Sequence, residues 1–152
     1  MEFNINRGTK HWEHEPVRFT TTRELDIYYD KDVELGSYIE NRANRPDIII
    51  HNKRTKQVQI IEVGITGDTA ITSTTHRKIN KYTDFKNIMK REWQLDKIEF
   101  IPVILGVTGV YHKRLKRDIE KIWGNNINVD QLQTEVVKSG VTILKRALSM
   151  EN

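Results

Sequence analysis

Short apolar runs separated by polar turns predict β-strands in the first two thirds of the chain. Residues 47–51 (DIIIH) and 57–65 (QVQIIEVGI) have strand length, are rich in β-branched side chains and flank a polar turn. Residues 98–107 (IEFIPVILGV) are almost continuously apolar, which is typical of a strand buried on both faces. Pro102 within this run cannot donate a ladder hydrogen bond, so it predicts an edge position or a bulge.

Helical periodicity appears between the second and third runs and again after the third. Apolar residues recur every three to four positions from about 75 to 93, which predicts an amphipathic helix. Residues 111–123 predict a basic amphipathic helix, and residues 129–150 predict a last helix that Gly140 weakens. The remaining pattern predicts a polar lead-in at the start, a first strand or a short helix at residues 25–33, and a turn-rich link at residues 36–45.

Strands that alternate with helices predict an α/β domain, with a mixed sheet of about four strands flanked by helices. The 152 residues suit one compact domain, and the sequence shows no internal repeat, low-complexity tract or linker. We therefore expect a single domain over residues 1–152.

The composition excludes several kinds of chemistry. The chain has no cysteine, which rules out disulfides, zinc–cysteine sites and thiol catalysis and fits a reducing compartment. No segment approaches the ~20 apolar residues of a membrane-spanning helix, and the polar start lacks the apolar stretch of a signal peptide. We therefore expect no membrane partner and no secretion. The five histidines show no metal-ligand spacing, and no Walker loop or nucleophile elbow is present.

The net charge of +4 is unevenly distributed along the chain. Residues 1–50 carry 7 Lys/Arg against 10 Asp/Glu, a net of −3, whereas residues 51–152 carry 18 against 11, a net of +7. A basic surface of this kind suits phosphate contacts, although a lysine-rich solvated surface would carry the same charge. In the basic helix, Lys113, Arg114 and Arg117 are candidate DNA-binding residues, with a solvated helix face as the alternative.

Two acidic residues lie within apolar strands, where an isolated charge is costly. If the polar turn is centred between residues 54 and 55, Asn52 pairs with Gln57 and Asp47 pairs with Glu62. Directly opposed residues share a sheet face, with Cβ atoms roughly 5 Å apart. Two carboxylates so placed repel each other unless a cation lies between them, and a hard divalent ion such as Mg²⁺ suits oxygen ligands. A slip of one residue in this register would separate the pair.

The segment Arg45-Pro46-Asp47 followed by Glu62 resembles the motif of the PD-(D/E)xK, restriction-like nucleases. The resemblance implies a restriction-endonuclease-like core in which the two acids hold one or two Mg²⁺ ions. It also implies a lysine, two positions beyond the second acid, that assists the attacking water. This sequence departs from the motif there, because the position holds Gly64. Gly64 lies on the same strand face as Glu62 and has no side chain, so it leaves room beside the acid.

The segments RPDIII, IIEVGI, KINKY and IPVILGVTG together resemble the restriction-like endonuclease domain of site-specific non-LTR retrotransposons. The resemblance covers roughly residues 28–148, which makes residues 1–27 an N-terminal lead-in to the nuclease core. In that family the lysine lies on the following helix, a position that Lys78 and Lys81 match. The two lysines are three apart and share a helix face. Only one is expected to point into the site, and we favour Lys78 because Lys81 is adjacent to Tyr82, which we assign to the core.

The resemblance implies a metal-dependent DNA endonuclease with Asp47 and Glu62 as metal ligands and Lys78 or Lys81 as the catalytic cation. Its cofactor would be Mg²⁺, with Mn²⁺ as a substitute. Its substrate would be double-stranded DNA, nicked to prime reverse transcription of the element's RNA. The reverse transcriptase of the same polyprotein would be a partner, and the location would be the nucleus, or the cytoplasm for a protein of another origin. Arg45 either contacts phosphate or merely precedes the strand.

Two alternatives to this function stay open. One is a stand-alone Holliday-junction resolvase or restriction-type nuclease. A preference for four-way junctions over linear duplex would favour the resolvase. The other is a catalytically inactive DNA-binding module of the same fold. This alternative stays open because Gly64 occupies the position of the motif's lysine. Some members of the family have an extra N-terminal metal ligand, for which Glu13, Glu15 and Glu24 are candidates.

Overall fold

The computed structural model describes residues 17–36, 45–123, 130, 133–134 and 136–138. Most of the predicted lead-in, link and last helix lies outside the described residues, as do Glu13 and Glu15. The strands are β1 (Phe19–Thr21), β2 (Leu25–Tyr29), β3 (Ile48–Asn52), β4 (Gln57–Thr66) and β5 (Lys97–Gly106). The helices are α1 (Ile71–Glu92), which follows a short 3-10 turn at Asp68–Ala70, and α2 (Arg114–Trp123).

The strands form one mixed sheet in the order β1-β2-β3-β4-β5. Strands β1 to β4 are antiparallel to their neighbours, whereas β5 is parallel to β4 and α1 makes the crossover between them. The structure confirms an α/β domain with a mixed sheet flanked by helices, and this architecture is compatible with a restriction-endonuclease-like core. The sheet has five described strands rather than about four, because part of the predicted lead-in joins it.

Strand β1 lies inside the predicted N-terminal lead-in. Its three residues are all exposed, so they show no alternation of apolar and polar positions from which a strand could be predicted. They pair with β2, where Phe19 lies opposite Tyr28 and the centres of the two rings are 4.8 Å apart. The sequence allowed either a strand or a short helix at residues 25–33, and Leu25–Tyr29 forms a strand.

Both helices begin at positions that differ from the predicted ones. Helix α1 begins at Ile71, because this residue and Thr74 are buried and so extend the apolar face by a further turn. The polar side chains that follow Gly67 conceal this turn in the sequence. Helix α2 begins at Arg114 rather than at Tyr111, because Tyr111 forms a β-bridge with Leu105.

Two apolar clusters cover the two faces of the sheet. Helix α1 packs on one face and α2 on the other, so the sheet lies between two layers of helix. Burial of apolar surface is the dominant favourable contribution to such a layered domain. The buried residues of the α1 cluster are Val33, Leu35, Ile49, Val58, Ile60, Tyr82, Phe85, Met89 and Leu95, and those of the α2 cluster are Ile61, Ile101, Val103, Leu105, Leu115 and Ile119.

The alternation along β4 determines which face carries each of its side chains. Val58 and Ile60 belong to the α1 cluster, whereas Ile61 belongs to the α2 cluster. Because successive side chains of a strand point to opposite faces, Glu62 and Gly64 face α1. Among the described residues, a side chain that meets Glu62 on this face therefore comes from α1 or from the same face of a neighbouring strand.

Strand β5 has the two properties predicted for its apolar run. Ile98 and Phe100 pack against the α1 cluster, and Ile101 and Val103 belong to the α2 cluster, so the strand is covered on both faces. It is also the last strand of the described sheet. Pro102 therefore lies on an edge strand, where a missing N–H is tolerated.

Candidate active site

The predicted register between β3 and β4 is confirmed. Asn52 pairs with Gln57, and the pairing continues to Ile48 opposite Ile61. One further step along the same register brings Asp47, which directly precedes β3, opposite Glu62. The two candidate metal ligands therefore come together through the geometry of a single hairpin.

The side chain of each acid accepts a hydrogen bond from a backbone N–H of the other segment. The N–H of Asp47 donates to Oε2 of Glu62 at 3.2 Å, and the N–H of Val63 donates to Oδ2 of Asp47 at 2.7 Å. These side-chain hydrogen bonds extend the contact between the β3 and β4 segments one residue beyond the last backbone pair. Glu62 is only 5% exposed, so its charge requires a close partner.

The partner of Glu62 is Lys78 of α1. The Lys78 ammonium lies 2.8 Å from Oε1 of Glu62, and 20% of the lysine side chain is exposed. A methyl group at the Cβ position of Gly64 would lie 3.0 Å from Cε of Lys78 and 3.0 Å from Cδ1 of Ile104. Lys78 therefore lies in the space that Gly64 leaves open beside the acid. The ammonium also offsets the repulsion that the sequence predicts for the carboxylate pair.

Lys81 lies beside Tyr82 instead of Glu62. Its ammonium is 3.4 Å from the Tyr82 hydroxyl and 4.8 Å from the centre of the ring. The hydroxyl donates to the backbone C=O of Arg45 at 3.2 Å. Tyr82 is buried, as its assignment to the core requires, but it also links α1 to the segment that precedes Asp47. The sequence pattern reveals only the first of these two roles.

Arg45 is held by an acid at the end of β2. Its Nε and Nη2 atoms each lie 2.7 Å from a carboxylate oxygen of Asp30. These hydrogen bonds hold the pKa of the Asp30 carboxyl below its ordinary value. The backbone N–H of Asp30 also donates to the C=O of Asp47 at 2.8 Å. Asp30 is thus a further residue of the site, and no motif in the sequence points to it.

The predicted DNA-binding residues of the basic helix lie across the sheet from the acids. Helix α2 packs through Leu115 on the face opposite to Glu62. Lys113, Arg114 and Arg117 are exposed on that side of the domain. The structure therefore does not bring them together with the carboxylate pair.

The geometry excludes Glu24 as an extra metal ligand. Its backbone C=O accepts a hydrogen bond from the N–H of Lys53 at 2.8 Å, which places it beyond the end of β3 that is remote from Asp47. A strand of this length spans roughly 17 Å, so Glu24 lies far from the acid pair. Glu13 and Glu15, the other two candidates, fall outside the described residues.

The donor set of the acid pair fits a hard divalent cation. Oδ1 of Asp47 has no hydrogen-bond partner among the described residues, and both side chains offer oxygen ligands. Within that part of the chain, no group of three or more His, Cys, Asp or Glu side chains could hold a metal. Mg²⁺ is commonly held by one or two carboxylates together with water and substrate phosphate. The chemistry of the pair therefore fits a divalent cation that takes its remaining ligands from water and substrate phosphate.

No family model and no curated protein matches the chain. The fold and the site alone define the class. It is an α/β domain whose mixed sheet carries two carboxylates on adjacent chain segments and a lysine from the crossover helix. Where the structure describes the chain, none of its helices is long and apolar enough to cross a membrane.

Proposed function

We propose that this protein is a metal-dependent DNA endonuclease of the PD-(D/E)xK, restriction-like type. The observation that carries the proposal is the contact of Glu62 on β4 with Asp47, which directly precedes β3, and with Lys78 of α1. Two carboxylates that can hold a divalent cation, with a lysine beside them, are suited to hydrolysis of a phosphodiester. The space over Gly64 supports the idea that the lysine of the motif has moved to the helix.

Asp47 and Glu62 would hold the cation, which when bound lowers the pKa of a water molecule and stabilises charge that develops on the phosphate. The Lys78 ammonium can donate a hydrogen bond to the attacking water or to a phosphate oxygen in the transition state. Glu62 holds this ammonium at 2.8 Å and so keeps it ordered. The burial of Glu62 strengthens the electrostatic interactions of the whole group.

The DNA backbone would approach the acids along α1. Arg77 and Lys81 are both exposed and lie four residues apart, so they share one flank of the helix. Lys81 is next to Tyr82, whose hydroxyl contacts the segment that leads into Asp47. This flank is therefore on the same side of the sheet as the acid pair, whereas the basic residues of α2 are on the opposite side.

Binding to duplex DNA is expected to depend more on the α1 flank than on α2. The double variant Arg77→Gln/Lys81→Gln should lower the slope of log affinity against log salt by about 2, since each phosphate contact contributes about 0.9. Fluorescence anisotropy with a short duplex in EDTA, over a series of salt concentrations, measures this slope without cleavage. The variant Lys113→Gln/Arg117→Gln has the same change in charge and is the matched comparison. A larger fall in this slope for the α2 variant, or an affinity that does not depend on salt, would contradict the proposed DNA-binding surface on α1.

Substitution of Gly64 by alanine is expected to move Lys78 away from Glu62 without unfolding the protein. The new methyl group would meet the ends of two flexible side chains, which can shift by small distances. We expect about a tenfold loss in nicking rate, because catalysis is sensitive to sub-ångström misplacement of a reacting group. Gly67→Ala is the control, since nothing lies within 4 Å of a Cβ atom there. Equal rates for both variants and the wild type would mean that the position of Lys78 has no bearing on cleavage.

The sequence resemblance supports a narrower role within this proposal, a nick that primes reverse transcription of a site-specific non-LTR retrotransposon. The reverse transcriptase of the same polyprotein would then be the partner, and the nucleus would be the location. Priming requires that the nick leave a 3′ hydroxyl group that a polymerase can extend. A product that ends in a 3′ phosphate would rule out this role while leaving the nuclease intact.

A plasmid-nicking assay with Mg²⁺, Mn²⁺ and EDTA tests the proposed activity. Conversion of supercoiled to open-circular plasmid with either metal, and none in EDTA, is the expected result. Strong preference for four-way junctions over linear duplex would favour the Holliday-junction resolvase. Binding without cleavage in either metal would establish the inactive DNA-binding module, in which the loss of the lysine at Gly64 has ended catalysis.

A further inference from the structure

We propose that Tyr82 and Asp30 are positioning residues that hold the segment 45–47, so that the Asp47 carboxylate stays beside Glu62. The inference rests on the proposed function, because it assigns these residues to the organisation of the metal ligands. Neither residue contacts the carboxylate group of Asp47. Both contact the backbone or side chain of the short segment that carries it.

Asp47 needs such support because it lies outside the regular sheet. The last backbone pair between β3 and β4 is Ile48 opposite Ile61, so Asp47 is one residue beyond the ladder. Residues at the frayed end of a strand open locally at little cost in free energy. A metal site, by contrast, requires its ligands to be held within about 0.5 Å of the productive geometry. Contacts from outside the hairpin must therefore supply the rigidity.

Tyr82 supplies the first contact from the rigid core. The residue is 1% exposed, and its ring packs against Phe100 and Phe85 with centroid distances of 5.3 Å and 6.1 Å. Its hydroxyl donates to the C=O of Arg45 at 3.2 Å, two residues before Asp47. The ammonium of Lys81, at 3.4 Å, donates to the same hydroxyl. The hydroxyl group thus connects α1 to the start of the segment.

Asp30 supplies the second contact from the end of β2. Its N–H donates to the C=O of Asp47 at 2.8 Å, and its carboxylate binds the Arg45 guanidinium through two hydrogen bonds of 2.7 Å. The φ angle of Asp30 is +41°, in the left-handed region that aspartate tolerates better than most residues. Asp30 therefore holds both ends of the segment, while Tyr82 holds its start from α1.

The substitution Tyr82→Phe tests the inference because it removes the hydroxyl and keeps the packed ring. Outer partners of metal ligands typically contribute a factor of roughly 10 to 100 in metal affinity. We expect about a tenfold weaker affinity for Mn²⁺, measured by calorimetry on the DNA-free protein. We also expect a similar increase in the Mn²⁺ concentration that gives half-maximal nicking, with a maximal rate close to that of the wild type.

Two further variants separate positioning from general stability. Tyr28→Phe also removes a hydroxyl from a ring packed on the same core, but Tyr28 lies beside Trp93 and not beside the segment, so its Mn²⁺ affinity should equal that of the wild type. Asp30→Asn keeps the backbone hydrogen bond and weakens the pair with Arg45, so it should lower the affinity in the same direction as Tyr82→Phe. A loss of unfolding free energy alone would not change the affinity of the folded protein for Mn²⁺.

Each outcome decides between the inference and the proposed function. A wild type that binds Mn²⁺ and nicks DNA, with Tyr82→Phe unchanged in both, overturns the inference and leaves the nuclease standing. A wild type that binds Mn²⁺ but cuts no DNA, with a weaker Tyr82→Phe, supports the inference and overturns the nuclease. A wild type that neither binds Mn²⁺ nor nicks DNA in its presence overturns both.

Discussion

Asp47→Asn and Glu62→Gln are expected to abolish nicking in Mg²⁺ while leaving the binding of duplex DNA largely unchanged. Each substitution replaces a charged oxygen ligand with a neutral amide of the same shape. Metal ions supply several kcal/mol of transition-state stabilisation, so we expect a loss of at least about a thousandfold in rate. Single-turnover nicking at saturating protein measures the rate, and anisotropy in EDTA measures the binding.

Asp26→Asn is the matched control for the two acid variants. Asp26 is also a strand carboxylate with a lysine partner, Lys53 at 2.9 Å, but it lies opposite His51 in the part of the sheet remote from Asp47. We expect this variant to nick DNA at the wild-type rate. Full activity of Asp47→Asn or Glu62→Gln would remove the central claim. Equal losses in all three variants would indicate damage to the fold instead.

The acid variants are also expected to be less stable than the wild type in the absence of metal. Repulsion between two isolated carboxylates would instead predict that the variants are more stable than the wild type. In the structure, however, Asp47 accepts the N–H of Val63, and Glu62 binds the Lys78 ammonium. Since a hydrogen bond to a charged group contributes about 1.5–3 kcal/mol, the free energy of unfolding should fall by up to that amount. Urea unfolding in EDTA measures the change, and an increase in stability would show that repulsion dominates.

Lys78→Ala is expected to lower the nicking rate about a hundredfold with little change in DNA binding. The expectation follows from the contact of its ammonium with Glu62 at 2.8 Å, and the magnitude is at the lower end for acid–base groups. Lys81→Ala should instead weaken binding modestly, because Lys81 contacts Tyr82 and is exposed toward the solvent. If both single variants and the double variant nick at the wild-type rate, the cation must come from elsewhere.

Moving the lysine back to the strand provides a gain-of-function test. In the double variant Gly64→Lys/Lys78→Ala, the space now filled by the Lys78 side chain becomes available to a lysine on the same strand face as Glu62. We expect the double variant to recover at least about tenfold of the hundredfold loss in Lys78→Ala. Gly64→Gln/Lys78→Ala has nearly the same volume without the charge and should recover nothing. Equal recovery in both double variants would assign the effect to packing.

The apolar runs and the short polar turn were sufficient to predict the register of β3 and β4 and their bounds to within one residue, although Asp47, predicted inside the first strand, directly precedes β3. A symmetric turn allows one pairing that keeps both apolar faces together, and the observed pairing of Asn52 with Gln57 is the predicted one. Since the alternation along a strand ties every side chain to a face, the approach of Asp47 to Glu62 could be predicted as well. The room over Gly64 followed from the same alternation. Strand β1 could not be predicted, because its exposed residues carry no periodic pattern.

The choice between Lys78 and Lys81 required the tertiary structure. Both lie on one helix, and the sequence favours one only through the neighbouring Tyr82. The angle and height at which α1 crosses β4 determine which ammonium reaches Glu62. That placement depends on the packing of the helix on the strands, which joins residues far apart in the chain.

The roles of Asp30 and Tyr82, and the location of α2 across the sheet, were likewise decided only by the tertiary structure. The sequence alone was sufficient for the identity of most elements, the pairing of the acids and the assignment of Tyr82 to the core. Periodicity reports which face a residue takes within its own element, because that follows from local backbone geometry. It does not report where one element lies relative to another, because that depends on the packing of the whole domain.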